Sequence, residues 1–223
     1  MSVFIDFDNT ITLVDVLYQL IERFSISDDW RSLEHAWLSG EITTKECLTG
    51  QMRSVRISSQ ELSGYLTTIE IDPYFSKLID FFKEKGIELT IVSDNFEPII
   101  NFILEHNGIK GVPVFANELN VYQDRLLPSF PFQNPECLSC AHCKKIHFMK
   151  NRRCKEDLII YVGDGRSDIC PAKKADIVFA KSTLLNYFKK NSLPCFEFLG
   201  LADVYKHLNT QEYKRVLSLD GVR

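Results

Sequence analysis

Nowhere in this 223-residue chain does an apolar run approach the ~20 residues that a membrane-spanning helix needs. Nor is there a surplus of positive charge, since 26 lysines and arginines stand against 30 aspartates and glutamates. The formal net charge of −4 weighs against nucleic acid or an anionic membrane as the main partner. Basic residues gather only in pairs such as Lys144-Lys145 and Arg152-Arg153, which read as solvated surface. The first residues, Met1 to Asp6, have no basic segment and reach an acidic side chain too soon for a secretory leader. Low-complexity stretches and internal repeats are both missing. A disulfide framework is lacking too: the seven cysteines are odd in number, and three of them crowd into Cys137, Cys140 and Cys143. That usage suits a reducing cytoplasm. The expectation is a cytoplasmic globular protein, monomer or homodimer, with neither membrane nor nucleic acid as partner.

What the chain does have is a change of hydrophobic period. Val3 to Ile5 is a short β-rich run. From about Leu13 to Pro73 the spacing is helical, with Asp28 as an expected N-cap and capping boxes at Thr43…Glu46 and Ser58…Glu61. Asp72-Pro73 starts another helix, stopped by Gly86. Buried-strand runs then alternate with helices: Glu88–Val92, Val114–Ala116, Leu158–Val162 and Ile177–Ala180, with an irregular hairpin between Leu119 and Pro128. A helix is expected from Lys144 to Arg152, and a loosely held tail after about Asn209. Continuous apolar strands alternating with helices predict an α/β fold, a mostly parallel sheet covered on both faces. The early helices break the alternation and read as a small helical insert after the first strand.

In open α/β sheets, ligands bind beyond the carboxyl ends of the strands. The residues there are Asp6 and Asp8, then Ser93, Asp94 and Asn95, then Asp164 and Asp168. Any one aspartate could be a turn former or helix cap. Three carboxylate-bearing strand ends on one edge would repel one another without a cation, and hard oxygen donors suit Mg²⁺.

At this point the sequence resembles the haloacid dehalogenase (HAD) superfamily. Asp6-Phe7-Asp8-Asn9-Thr10 fits its DxDxT motif, Ser93 closes a strand, Lys144 or Lys145 heads a helix, and Gly163 to Asp168 fits GDGxxD. The helical insert is similar to the C1 cap of subfamily IB. The resemblance implies a Rossmann-like HAD core of residues 1–13 and 76–223 and a cap of 14–75. It also implies hydrolysis of a small phosphorylated metabolite, with Asp6 as nucleophile and Asp8 as general acid and base. Thr10, Ser93, Asp94 and Lys144 would surround the phosphate. Mg²⁺ would sit at Asp6, Asp8 and Asp164, with Asp168 bracing it. Lys144 is preferred over Lys145 because this branch places its lysine directly after a cysteine, as in Cys143-Lys144.

The cysteine-rich segment, the Gly163 to Ala172 stretch and the Ala175 to Lys181 stretch resemble the methionine-salvage 2-hydroxy-3-keto-5-methylthiopentenyl-1-phosphate phosphatases and the phosphoethanolamine/phosphocholine phosphatases. Asp94-Asn95 replaces the glycines of the first group. From phosphoserine phosphatases, Asp15 and Arg53 are carried over as cap residues that contact substrate. Phe24, Trp30 and Trp37 read as cap core. Cys137, Cys140 and Cys143 have spacing that can bind Zn²⁺, with His142, His147 or Cys154 as a fourth ligand, or else are free buried thiols. Two other classes compete. A signalling receiver domain places its accepting aspartate on a later strand and has no GDGxxD element; an inactive HAD-fold binding module would lack catalytic residue types that are present here.

Overall fold

The computed structural model describes residues 1–134, 137, 140–144, 146–148 and 158–210. Its strands are β1 (Ser2–Ile5), β2 (Glu88–Phe96), β3 (Val114–Tyr122), β4 (Arg125–Ser129), β5 (Ile159–Gly163), β6 (Ile177–Ala180) and β7 (Phe196–Glu197). They form one sheet in the order β4-β3-β2-β1-β5-β6-β7, parallel throughout except for the β3–β4 hairpin. Strand alternation gives each face its own core. Val3, Ile5, Ile160 and Val162 point to one side, Phe4, Ile159 and Tyr161 to the other. Helices cover both faces, as an all-buried β5 requires.

Register decides where the polar residues meet. Ile5 lies opposite Ile91 on β2 and Val162 on β5. The residues that follow, Asp6, Ser93 and Asp164, therefore emerge at the same edge. The chain adds strands on one side of β1 and then returns to the other, so this edge is also where the strand order reverses.

Four helices follow β1: α1 (Val16–Phe24), α2 (Asp29–Ser39), α3 (Thr44–Ser54) and α4 (Ser59–Leu66). Asp15 caps α1 by accepting from the Tyr18 amide, and Gly40 ends α2 in the left-handed conformation. Both capping boxes are formed, on α3 and on α4. Asp28 precedes α2 without a side-chain capping bond. The helical segment leaves and re-enters the core through an antiparallel crossing: Thr12 bridges Ile71, Leu13 donates to Glu70 O, and Asp72 donates to Ile11 O. Its apolar residues Leu20, Trp30 and Met52 share a single buried cluster with the sheet.

The remaining helices are α5 (Phe75–Lys83), α6 (Glu97–His106), α7 (Ile169–Ala172), α8 (Ser182–Lys190) and α9 (Leu201–Leu208). Strand β2 runs past its apolar stretch to Phe96 and β3 runs to Tyr122, both further than the pattern predicts. Helix α7 is a single short turn of four residues. Strand β7 and helix α9 were not expected at all. Of the helix expected from Lys144, residues 146–148 are helical; Lys145, Arg152-Arg153, Cys154 and the tail after Thr210 lie outside the described residues. Among the described residues, no helix is long and apolar enough to cross a membrane.

The α3 capping box supplies the first test. Thr43→Ala removes the hydroxyl that accepts from the Glu46 amide and should cost about 1 kcal/mol, read as a lower urea midpoint at unchanged slope.

Candidate active site

Three chain segments meet at one buried ammonium group. Lys144 is fully buried, and its Nζ donates to Asp6 Oδ1 at 2.8 Å, Asp168 Oδ1 at 2.5 Å and Ser167 Oγ at 3.1 Å. Burial alone would lower its pKa, but Asp168 and Asp6 outweigh that and hold it well above the usual lysine value. Asp168 is saturated with donors. Tyr161 OH reaches Oδ1 at 2.6 Å, and the Asp164 and Gly165 amides reach Oδ2 at 2.9 and 2.8 Å. This tuck requires a glycine at 163, where a Cβ would stand 2.6 Å from Asp168 Oδ2.

The carboxylates of Asp6, Asp164 and Asp168 can bring oxygens within 4.8 Å of one another. Asp6 is pushed well above the ordinary carboxylate range by burial and by Asp168, against the pull of Lys144. Asp164 is raised to about 6, chiefly by burial and by Asp168. Its oxygens accept from Asn9 Nδ2 at 2.7 Å and Thr10 Oγ1 at 3.4 Å. Asn9 reaches there from a left-handed backbone (φ 53°), a conformation asparagine tolerates better than most residues.

Asp8 occupies a separate environment. Asn95 Nδ2 donates to both its oxygens, at 3.1 and 2.9 Å, and the Val16 amide at the start of α1 donates at 2.9 Å. Burial and then the charge of Asp15 raise its pKa to about 8, while the Asn95 bond opposes the shift. Two carboxylates two residues apart thus differ in partner: an ammonium for Asp6, an amide for Asp8.

A cavity of about 190 Å³ lies between this edge and the helices. Its floor includes Asp6, Asp8, Ser93 and Asp164; its roof includes Leu17, Ile21, Leu48 and Trp37, with Asp15 and Glu34. Trp37 is therefore a wall and not cap core: its indole N–H donates to Thr44 Oγ1 at 2.9 Å and the Arg166 guanidinium lies over its ring. Arg166 also donates to Leu38 O at 2.8 Å, tying the Gly163–Asp168 loop to the end of α2. Trp30 is buried as expected, and Phe24 packs against the same core.

Arg53 is exposed and lines no part of the cavity; Gln51, on the opposite face of α3, does. Gln51 is buried. Asp94 borders the cavity, but its carboxylate is engaged by two amides of the cysteine-rich segment, Ala141 and His142, each at 2.9 Å. Burial, offset partly by Lys144, raises it to about 6. Asn9, Asn95, Tyr161 and Gln51 had no role from sequence. Asn95 and Asn9 stand inside motifs already noted, so neighbourhood was the signal available.

Aspartates gathered on a parallel sheet around a buried lysine characterise the phosphatases of the HAD superfamily, and comparison with known proteins leads to the same class. The model of a family described as "Putative Phosphatase" matches residues 1–187, and the chain belongs to that family. It is 28% identical over 219 residues to Pdp3-interacting factor 1 of Schizosaccharomyces pombe, spanning 93% of this chain and 94% of that one. The 2-hydroxy-3-keto-5-methylthiopentenyl-1-phosphate phosphatase of Bacillus pumilus is 29% identical over 207 residues, 89% of this chain and 87% of its own. A structure of phosphoserine phosphatase carrying a phospho-aspartyl intermediate analogue shares the fold, with a TM-score of 0.69 at 19% identity over 92% of this chain and 97% of that one. The protein is thus a phosphatase, a phosphoric monoester hydrolase.

The Asp94 clamp is open to measurement. Asp94→Asn sets an NH₂ group against one of the two backbone amides in either orientation and removes the charge, so stability should fall by about 1–3 kcal/mol. An unchanged melting curve would mean the clamp contributes nothing.

Proposed function

We propose that this phosphatase hydrolyses a small phosphomonoester with Mg²⁺, through an aspartyl-phosphate on Asp6 and with Asp8 as general acid and base. The observation that carries the reading is the division between the two carboxylates. Asp6 is paired with the Lys144 ammonium, whereas Asp8 is held by the Asn95 and Val16 amides and, raised to about 8, can hold a proton at neutral pH. A carboxylate oxygen of Asp6 attacks phosphorus while the bond to the leaving oxygen breaks, and Asp8 gives its proton to that oxygen. Asp8 then takes a proton from water, which attacks the phosphorus of the phosphoaspartate and frees phosphate and Asp6. Lys144 offsets charge on the phosphorylated aspartate, and Ser93 and Thr10 are assigned to the phosphoryl oxygens and the first-motif loop.

The donor set fits a hard cation. Asp6, Asp164 and Asp168 carry more negative charge than one ammonium neutralises, and every donor is oxygen. Asp6, Asp164 and the backbone carbonyl of Asp8 would hold Mg²⁺. Asp168 would brace them, since both its oxygens already accept from the protein. When bound, the ion supplies charge stabilisation to the phosphoryl group.

Segment 14–75 acts in this reading as a cap that selects the substrate. The apolar walls at Leu17, Ile21, Leu48 and Trp37 favour a thioether-bearing chain such as the methylthiopentenyl phosphate of the Bacillus pumilus relative's name. A second reading rests on Asp15 and Glu34 in the same cavity, which favour a cationic leaving group such as ethanolamine or choline. The exposure of Arg53 leaves phosphoserine without a carboxylate clamp from that residue. The cysteine usage fits a reducing cytoplasm.

Phosphate release from these esters, with Mg²⁺ or EDTA, tests the proposal. Turnover should require Mg²⁺, vanish in Asp6→Asn and drop by roughly 10²–10⁴ in Asp8→Asn. Turnover retained by folded Asp6→Asn would remove the nucleophile, and the preferred ester separates the two substrate readings.

A further inference from the structure

Beside the phosphatase site lies a second cluster that the reaction does not use. The sulfurs of Cys137, Cys140 and Cys143 come within 4.8 Å of one another, and all three residues are buried. A fourth sulfur stands at the edge of this group from elsewhere in the chain: Cys170 Sγ lies 3.7 Å from Cys137 Sγ but not within 4.8 Å of all three, so it would close in on binding the metal. Four sulfurs at the usual zinc–sulfur distance of ~2.3 Å define a tetrahedron with edges of about 3.8 Å, close to that separation. Cys137 and Cys140 stand at 2.9 Å, well beyond the ~2.05 Å of a disulfide, and would open to reach the same edge.

The histidines named from sequence as a possible fourth ligand are turned to each other. Their Nε2 atoms are 2.8 Å apart, and the His147 ring stacks on Phe115. The described residue that would complete the set is Cys170, on α7 just after Asp168.

We propose that Cys137, Cys140, Cys143 and Cys170 form a structural Zn²⁺ site. Four thiolates leave no open position, which separates this site from metal-assisted chemistry. Each thiol releases its proton to solvent as its bond to zinc forms. The site joins the two segments that carry the buried ion network. Cys143 precedes Lys144, and Cys170 follows Asp168 by two residues, so the metal would fix the separation of that lysine from that carboxylate. The proposal does not depend on the substrate or on turnover.

Metal analysis of the full-length chain, purified under reducing conditions without chelators, is the test. About one zinc per chain is expected. Cys170→Ser should lose most of it, whereas Cys47→Ser and Cys195→Ser, outside the cluster, should keep it. Asp164→Asn should keep it as well, which separates the cluster from zinc bound adventitiously among the carboxylates. Should Cys170→Ser fail to fold, Co²⁺ substitution of the wild type gives an independent readout. Thiolate-to-cobalt charge-transfer bands with intense tetrahedral d–d bands are expected. Wild type that takes up neither ion while its cluster thiols alkylate freely would overturn the site. So would an intact mass short by two hydrogens, the mark of a Cys137–Cys140 disulfide.

Discussion

The buried contact between Lys144 and the carboxylates of Asp6 and Asp168 is the constraint around which this molecule is arranged. Placing an ammonium at zero exposure is costly unless several oxygens surround it, and the losses on deleting one partner of such a pair run to about 3–5 kcal/mol. The fold must therefore deliver the end of β1, the turn after β5 and the cysteine-rich segment to within hydrogen-bond distance of one atom. The parallel register does the first two, since Ile5 and Val162 are partners. Gly163 does part of the rest by leaving room for Asp168 to fold back onto its own loop amides. A structure organised this way has an unbalanced negative charge at the strand ends, which is what makes it receptive to a cation and to a phosphoryl group.

That same network explains why two aspartates in one short loop can do different work. Asp6 faces Lys144 and two further carboxylates, while Asp8 faces an amide and a helix start. Asn9 between them adopts a left-handed backbone, and its side chain reaches Asp164. The loop is held at both ends by groups that differ in charge: an ammonium at Asp6 and amides at Asp8.

Much of the site was legible because the polar residues fall directly after apolar strand runs, where a parallel sheet gathers them. The capping boxes were legible because both halves of the motif lie within four residues. What could not be read depends on register between distant segments. Asn9 meets Asp164 across 155 positions and Asn95 meets Asp8 across 87. Helical phase sets Arg53 away from the cavity. Two residues correspond to about 200° of rotation, so a helix that turns Gln51 inward turns Arg53 to solvent. Strand β7 has two residues, and α9 is preceded by Gly200, which has no side chain to cap it, so neither left a pattern strong enough to find.

Asp94 shows how one strand end can position two elements at once. Ser93 immediately before it is buried at the strand-end floor, and the Asp94 carboxylate holds the amides of Ala141 and His142. Those amides lie two and three residues ahead of Lys144, so the strand that supplies Ser93 also anchors the segment that supplies the lysine. Glycines at 94 and 95 would leave the segment without this clamp and Asp8 without the Asn95 amide. Asp94 and Asn95 are thus accounted for by what they hold in place, and the acidic side chain at 94 does not have to face the leaving group to be useful. Selection among leaving groups then falls to the helices of the roof, where apolar walls and the carboxylates of Asp15 and Glu34 share one cavity.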